Sequence, residues 1–179
     1  MNSSMDIAVR TAGPSDAELL ARIGAATFIR AFAEYNTRED MAAYVASAFS
    51  PEIQAVELLQ PGVVFLIASS SRGQTAGYAK LDRSEPPECV KASRPLEIVR
   101  FYVEAEWHGC GVSHCLMSDV FRRAQGANVD MLWLGVWERN ARAIAFYQKF
   151  GFEIVGRKNF TLGSDLQSDN VMTRAVASP

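Results

Sequence analysis

Residues 96–124 read LEIVRFYVEAEWHGCGVSHCLMSDVFRRA, and the fold is decided in this stretch. Residues 100–103 are rich in β-formers and predict a strand. Gly109 and Gly111 interrupt the pattern, and apolar residues return at helical spacing from Val112. A strand that enters a helix through glycines leaves backbone N–H groups without intrahelical partners, and the helix dipole adds partial positive charge there. The stretch therefore predicts a phosphate or pyrophosphate site, with a plain strand–helix turn as the alternative.

Strand and helix patterns alternate on both sides of this stretch. The predicted strands span residues 6–10, 63–68, 75–81, 96–103, 131–137, 152–162 and 171–176, and GSDLQSDN bridges the last two. Helices are predicted to begin at Ser15, Thr37, Ser50, Val112 and Asn140. This order predicts a mixed α/β sheet with helices on both faces, in a single domain that spans residues 1–179.

Composition and charge exclude several classes of protein. The hydrophobic fraction is 49%, the charged fraction is 21% and the net charge is −2, which favours neither nucleic-acid nor membrane-surface binding. No apolar run reaches the length of a membrane span, and the first residues lack the features of a signal peptide. The three cysteines are an odd number and include no CxxC pair, which argues against a disulfide framework, so we expect a cytoplasmic protein.

Two histidines and two cysteines lie within eight residues, at His108, Cys110, His114 and Cys115. Structural zinc sites usually take two ligand pairs that are well separated along the chain. Here the four side chains span a turn and a helix start, where they would diverge. We therefore predict no metal site, and a cysteine nucleophile is hardly better supported.

The helix after Asn140 carries one apolar stripe, formed by Ala143, Phe146, Tyr147 and Phe150. Taken alone, Tyr147 is a tyrosine at the edge of the core, and Asn140 is only an N-cap. Gly135, inside the preceding strand, indicates a bulge or a close approach by another group.

Together these segments resemble the GCN5-related N-acetyltransferase (GNAT) superfamily. The resemblance is carried by YVEAEWHGCGVSHCLM and, more specifically, by WERNARAIAFYQKFGFEIVG. TFIRAFAEYNTREDM and FTLGSDLQSDNVM extend it to the PaiA-type polyamine N-acetyltransferases. The resemblance implies a largely antiparallel sheet of about seven strands, flanked by helices and splayed between the fourth and fifth strands.

The resemblance implies acetyl-CoA as co-substrate, no metal, and direct attack by an amine in a ternary complex. The implied cofactor-binding residues are Phe101, Tyr102, Val103, His108, Gly109, Cys110, Gly111, Val112, Ser113, His114, Asn140, Phe146 and Lys149. The pyrophosphate would lie on the amides of residues 109–114. His108 replaces the usual Gln or Arg, and Ser113 replaces the usual Gly or Ala.

Tyr147 matches the general acid of the family, and we expect Glu97 to act as the general base. Asp165 and Asp169 either attract a cationic acceptor or are polar turn residues. The expected partner is a small-molecule amine, with a polyamine as one candidate, and a homodimer is open. The alternatives are acetylation of a protein N-terminus or lysine, and a CoA-binding regulatory module without catalysis.

Overall fold

The computed structural model describes residues 6–162 and 165–177, which form one sheet with helices on both faces. The strands are β1 (Ile7–Thr11), β2 (Val64–Ser70), β3 (Thr75–Asp82), β4 (Pro95–Val103), β5 (Met131–Trp137), β6 (Glu153–Leu162) and β7 (Asp165–Ala175). The helices are α1 (Ala17–Phe32), α2 (Arg38–Ala48), α3 (Pro51–Leu59), α4 (Val112–Gly126) and α5 (Ala141–Lys149). The predicted α/β architecture is confirmed.

The sheet has the order β1–β2–β3–β4–β5–β7–β6, and its described strands are antiparallel except where β4 meets β5. This parallel pairing is short, because it joins only Pro95–Glu97 of β4 to Met131–Trp133 of β5. Farther along, β4 pairs with β3 and β5 pairs with β7, so the two strands diverge. The predicted splay between the fourth and fifth strands is therefore present.

Helices cover both faces of the sheet and divide its core. On one face α4 and α5 pack on a large apolar cluster that includes Phe101 of β4. Tyr102, the next residue, points to the opposite face and packs among aromatic side chains under α1 and α2. No helix in the described ranges has the length and apolar character needed to cross a membrane.

A buried ion cluster fixes α2 and α3 on the sheet. Glu57 of α3 pairs with Arg100 of β4 at 2.7 Å and with Lys80 of β3 at 2.8 Å. Arg100 also donates to the carbonyl of Ala48 at the end of α2. Because an unpaired buried charge is costly, these contacts hold the two helices in one position over Tyr102.

Side-chain caps begin most of the helices where the sequence predicts them. Thr37 accepts from the amide of Asp40, Ser50 from that of Ile53, and Asn140 from that of Ala143. The prediction of Ser15 as the first N-cap is wrong. A 3₁₀ turn (Pro14–Asp16) precedes α1, so Asp16 stands at the N-cap position. Its carboxylate makes no capping bond to α1, since it accepts from the amide of Gly13 and pairs with Arg10.

The last strand is longer than predicted. β7 begins at Asp165, so most of the segment predicted to bridge two strands is itself strand. Residues 163–164, the first two of the predicted bridge, lie outside the described residues. The longer β7 places the side chain of Asp169 on the sheet rather than in a turn.

Candidate active site

The glycine turn before α4 presents free backbone amides to open space. Gly109 and Gly111 have φ of +81° and +83°, a conformation that favours glycine. In the described structure the amides of Gly109, Gly111, Val112 and Ser113 donate to no protein acceptor. A Cβ atom at either glycine would meet nothing within 4 Å. The turn therefore has both the donors and the room that an anion needs.

The side chains around this turn point in different directions. His108 Nε2 donates to the carbonyl of Val103 at 3.0 Å, while the ring of His114 lies 4.9 Å from that of Phe150. Cys110 packs against the core below α4, and Ser113 is half-buried in the first helical turn. No group of three His, Cys, Asp or Glu residues in the described chain is arranged to hold a metal ion.

Helix α5 places Tyr147 beside the diverging end of β4. Tyr147 and Phe146 pack against Phe101, with ring centroids 6.2 and 5.4 Å away. Asn140 caps the helix, and Lys149 is exposed in its last turn. Phe101, Phe146 and Tyr147, which the sequence analysis expected in the site, thus lie together on the α4–α5 face.

Tyr147 is buried but has a free hydroxyl group. The side chain is 8% exposed, and within the described residues its hydroxyl makes no hydrogen bond. Burial raises the pKa of Tyr147 well above its ordinary value. The phenol is therefore protonated at neutral pH and is able to donate a proton.

Glu97, the base expected from the sequence, lies at the narrow end of the splay. Its carboxylate accepts a hydrogen bond from Ser84 and lies 3.6 Å from Lys158 Nζ. Glu97 precedes Tyr102 by five residues, or about 16 Å of strand. Both carboxylate oxygens already have partners, which leaves this side chain less available to a substrate.

Asp169 is a buried carboxylate at the wide end of the splay. It is 9% exposed and, among the described residues, it has no hydrogen-bond donor or ion-pair partner. Burial raises the pKa of Asp169, and the charge of Lys158 opposes this effect. The carboxylate of Asp169 therefore accepts no hydrogen bond within the described structure and is able to accept one from a ligand.

The pattern that could have identified Asp169 is present in the sequence. Asp165, Gln167 and Asp169 alternate along the chain, and such alternation is typical of a strand with one polar face. The sequence analysis placed them in a connecting segment and left open whether Asp165 and Asp169 attract a cationic acceptor or are polar turn residues. Their common face is the one that meets the α1–α2 connection, because Gln167 donates to Asn36 at 2.8 Å.

A cavity of about 300 Å³ opens on this side, where β5 ends. Its walls include Tyr35, Trp137, Arg139, Asp165 and Gln167. The rings of Tyr35 and Trp137 meet edge to face at 4.9 Å. Trp137 is also the β5 partner of Asp169, so Asp169 lies next to the cavity wall although it does not line the cavity itself.

Tyr147 and Asp169 lie on opposite faces of the sheet. Tyr147 belongs to the core under α4 and α5, whereas Asp169 pairs with Trp137, which contacts Phe32 of α1. The diverging ends of β4 and β5 lie between them. A group held in the splay would therefore have a proton donor on one side and an anion on the other.

Comparison with protein families agrees with this geometry. The model of the "Acetyltransferase (GNAT) family" matches residues 27–152, which contain both the glycine turn and α5. The chain belongs to this family. It is an acetyl-CoA-dependent N-acetyltransferase.

Individual relatives support the family over nearly the full chain. An uncharacterized N-acetyltransferase of Mycobacterium tuberculosis is 34% identical over 162 residues, covering 90% of this chain and 99% of the relative. The L-amino acid N-acetyltransferase AaaT of Escherichia coli is 31% identical over 100 residues, covering 54% and 57% of the two chains. The PaiA N-acetyltransferase of Thermoplasma acidophilum, solved with coenzyme A, has a TM-score of 0.76 at 18% identity, covering 96% and 99%.

Proposed function

We propose that this acetyltransferase modifies a primary amine of a small molecule that enters the site as a cation. The observation that carries the proposal is the buried, unpartnered carboxylate of Asp169 beside the cavity. A primary ammonium supplies three hydrogen-bond donors and a positive charge. It is therefore matched to a carboxylate that has no hydrogen-bond donor and no ion-pair contact within the described residues.

The free amides of residues 109–113 are suited to hold the pyrophosphate of acetyl-CoA. They combine unpaired donors, the positive end of α4 and open space, as a phosphate requires. His108, Cys110 and His114 border this turn, and Asn140, Phe146 and Lys149 extend the proposed contacts along α5. The proposed contacts of Phe101, Tyr102 and Val103 are along β4, with Tyr102 contributing its backbone because its side chain is buried under α1 and α2.

The chemistry then uses both faces of the sheet. Bound acetyl-CoA supplies an activated acetyl group. Asp169 orients the acceptor and takes one proton from its ammonium, so that the neutral amine would attack the thioester carbonyl carbon. As the C–S bond breaks, Tyr147 donates a proton to the departing thiolate on the opposite face, and the second proton of the amine nitrogen restores the phenol. We assign the base to Asp169 before Glu97, because the carboxylate of Glu97 is bound by Ser84 and Lys158.

A polyamine is the first candidate acceptor. Asp165 and Asp169 share one face of β7 and are separated by about 13 Å of strand, so they can bind two ammonium groups of one extended molecule. The aromatic rings of Tyr35 and Trp137 offer further favourable contact to a cation between them. The sequence resemblance to the PaiA type favours the same class.

An amino acid is the second candidate acceptor. Arg139 borders the cavity, lies 6.0 Å from the ring of Trp137, and forms no ion pair within the described residues. A guanidinium at the mouth and a carboxylate inside would bind the two charges of a zwitterion. The similarity to the L-amino acid N-acetyltransferase AaaT adds weight to this candidate.

A thiol-release assay with acetyl-CoA and a panel of amines tests the proposal. The panel contains spermidine, a short diamine, a monoamine of matched length, several amino acids and a lysine peptide. We expect the highest kcat/KM for a cationic small molecule, and mass spectrometry of the product identifies the acetylated nitrogen. Transfer to the peptide alone, or to no amine by a folded protein that binds CoA, would overturn the proposal.

A further inference from the structure

Lys158 on β6 extends its side chain across Gly135 of β5. A Cβ atom on residue 135 would collide with Lys158 Cε and lie 3.0 Å from Nζ, so a larger residue there would displace the end of this side chain. The ammonium group lies 3.6 Å from Glu97 Oε1 and 5.1 Å from the centre of the Trp133 ring. Gly135 therefore leaves space for the side chain of Lys158 to reach Glu97.

The lysine lies between two carboxylates. Glu97 is its ion-pair partner on β4, and Asp169 is its cross-strand partner on β7. Asp169 Oδ2 lies 3.2 Å from the same hypothetical Cβ atom on Gly135 that approaches Lys158 Nζ. The two carboxylates and the ammonium group of Lys158 together carry one net negative charge along this face of the splay.

The other charged groups on this face form a separate cluster. Arg100 and Lys80 both pair with Glu57 beneath α3, which leaves one net positive charge there, and the charged group that acts on the pKa of Asp169 is Lys158. Tyr44 of α2 also faces Asp169, and burial raises the pKa of its phenol, which keeps it uncharged at neutral pH. The charge beside Asp169 is thus set by Lys158 and its partner Glu97.

We propose that Lys158 is a positioning residue that limits the number of ammonium groups that bind beside Asp169. With Glu97 neutralised by Lys158, Asp169 binds one ammonium group, and a second ammonium close to the first is disfavoured. The acceptors this favours carry a single charge at the reacting end, with any further charge at a distance. The inference rests on the proposed function, because it concerns the same cleft.

The test compares Lys158→Met, which keeps the length of the stem and removes the charge, with Lys158→Arg, which keeps the charge. Calorimetry measures the affinity of CoA-loaded protein for a short diamine and for a monoamine of equal length. We expect the diamine-to-monoamine affinity ratio to rise about fivefold in Lys158→Met, as one unit charge at contact distance in a water-rich cleft would produce. Lys158→Arg should keep the ratio of the wild type.

Two outcomes distinguish a failure of this inference from a failure of the proposed function. If wild-type protein binds amines and Lys158→Met leaves the ratio unchanged, the inference is wrong while the function stands. If the wild type binds and acetylates no amine, the proposed function itself fails. Thermal unfolding checks that each variant folds, and Lys158→Gln replaces Lys158→Met if the apolar substitution proves insoluble.

Discussion

Replacing Asp169 with asparagine separates the effect of its charge on stability from its effect on acceptor binding and catalysis. Asn keeps the shape of the side chain and removes a charge that forms no ion pair and accepts no hydrogen bond among the described residues. Asn remains a buried polar group but carries no charge, so the variant should be more stable at neutral pH by at most about 1 kcal/mol. For a chain of this size, each 1 kcal/mol raises Tm by about 2–4 °C.

The same change should weaken the enzyme. A hydrogen bond to a charged group contributes roughly 1.5–3 kcal/mol, which corresponds to a loss of about 10- to 100-fold in kcat/KM for the acceptor. The assay is thiol release at saturating acetyl-CoA with the amine varied. If Asp169 only binds the ammonium, KM rises alone; if it also takes the proton, kcat falls as well.

The pH dependence of stability provides an independent test of the role of Asp169. Because burial raises the pKa of Asp169, the folded state binds more protons than the unfolded state between the ordinary and the raised pKa. The contribution of this group to stability therefore falls as pH rises through that window. The Tm advantage of Asp169→Asn should be absent at low pH and complete above the window.

Asp165→Asn is the matched control, since it removes an exposed carboxylate from the same face of β7. It should leave Tm and the kcat/KM for a monoamine unchanged, and raise KM for an extended triamine. The reasoning is refuted if Asp169→Asn retains wild-type kcat/KM, or if it is less stable than the wild type at neutral pH.

Three further substitutions test other parts of the site. Tyr147→Phe should lower kcat by about 100-fold with unchanged affinity for CoA, and an unaltered kcat would remove its role as acid. Gly111→Ala should weaken CoA binding in calorimetry and cost about 1 kcal/mol of stability, because φ is +83° there; equal affinity would exclude the turn as the anion site. Glu97→Gln frees Lys158 to approach Asp169 and should raise the acceptor KM less than Asp169→Asn does; a larger loss of kcat would return the role of base to Glu97.

Local signals predicted most of the framework. Residues 131–137 are a strand as the sequence indicates, and Thr37, Ser50 and Asn140 cap helices through bonds to nearby amides. Those contacts depend on residues three positions apart, which a sequence displays directly. The Ser15 prediction is wrong because Arg10 on β1 draws Asp16 into an ion pair that local spacing does not reveal.

The acceptor side of the site could not be predicted in the same way. The value of Asp169 depends on its burial on a central strand, and that burial comes from packing between β5 and β6, which are distant in sequence. The role of Gly135 likewise depends on Lys158, which lies on another strand. Such contacts arise only when the strand order brings these segments together.

The most direct measurement is a crystal structure of the protein with CoA and the amine that it acetylates best. The account predicts the pyrophosphate on the amides of residues 109–113 and the amine nitrogen within hydrogen-bond distance of Asp169. It also predicts the thiol on the Tyr147 side of the splay. An amine bound away from Asp169, or a pyrophosphate bound away from the glycine turn, would contradict the account.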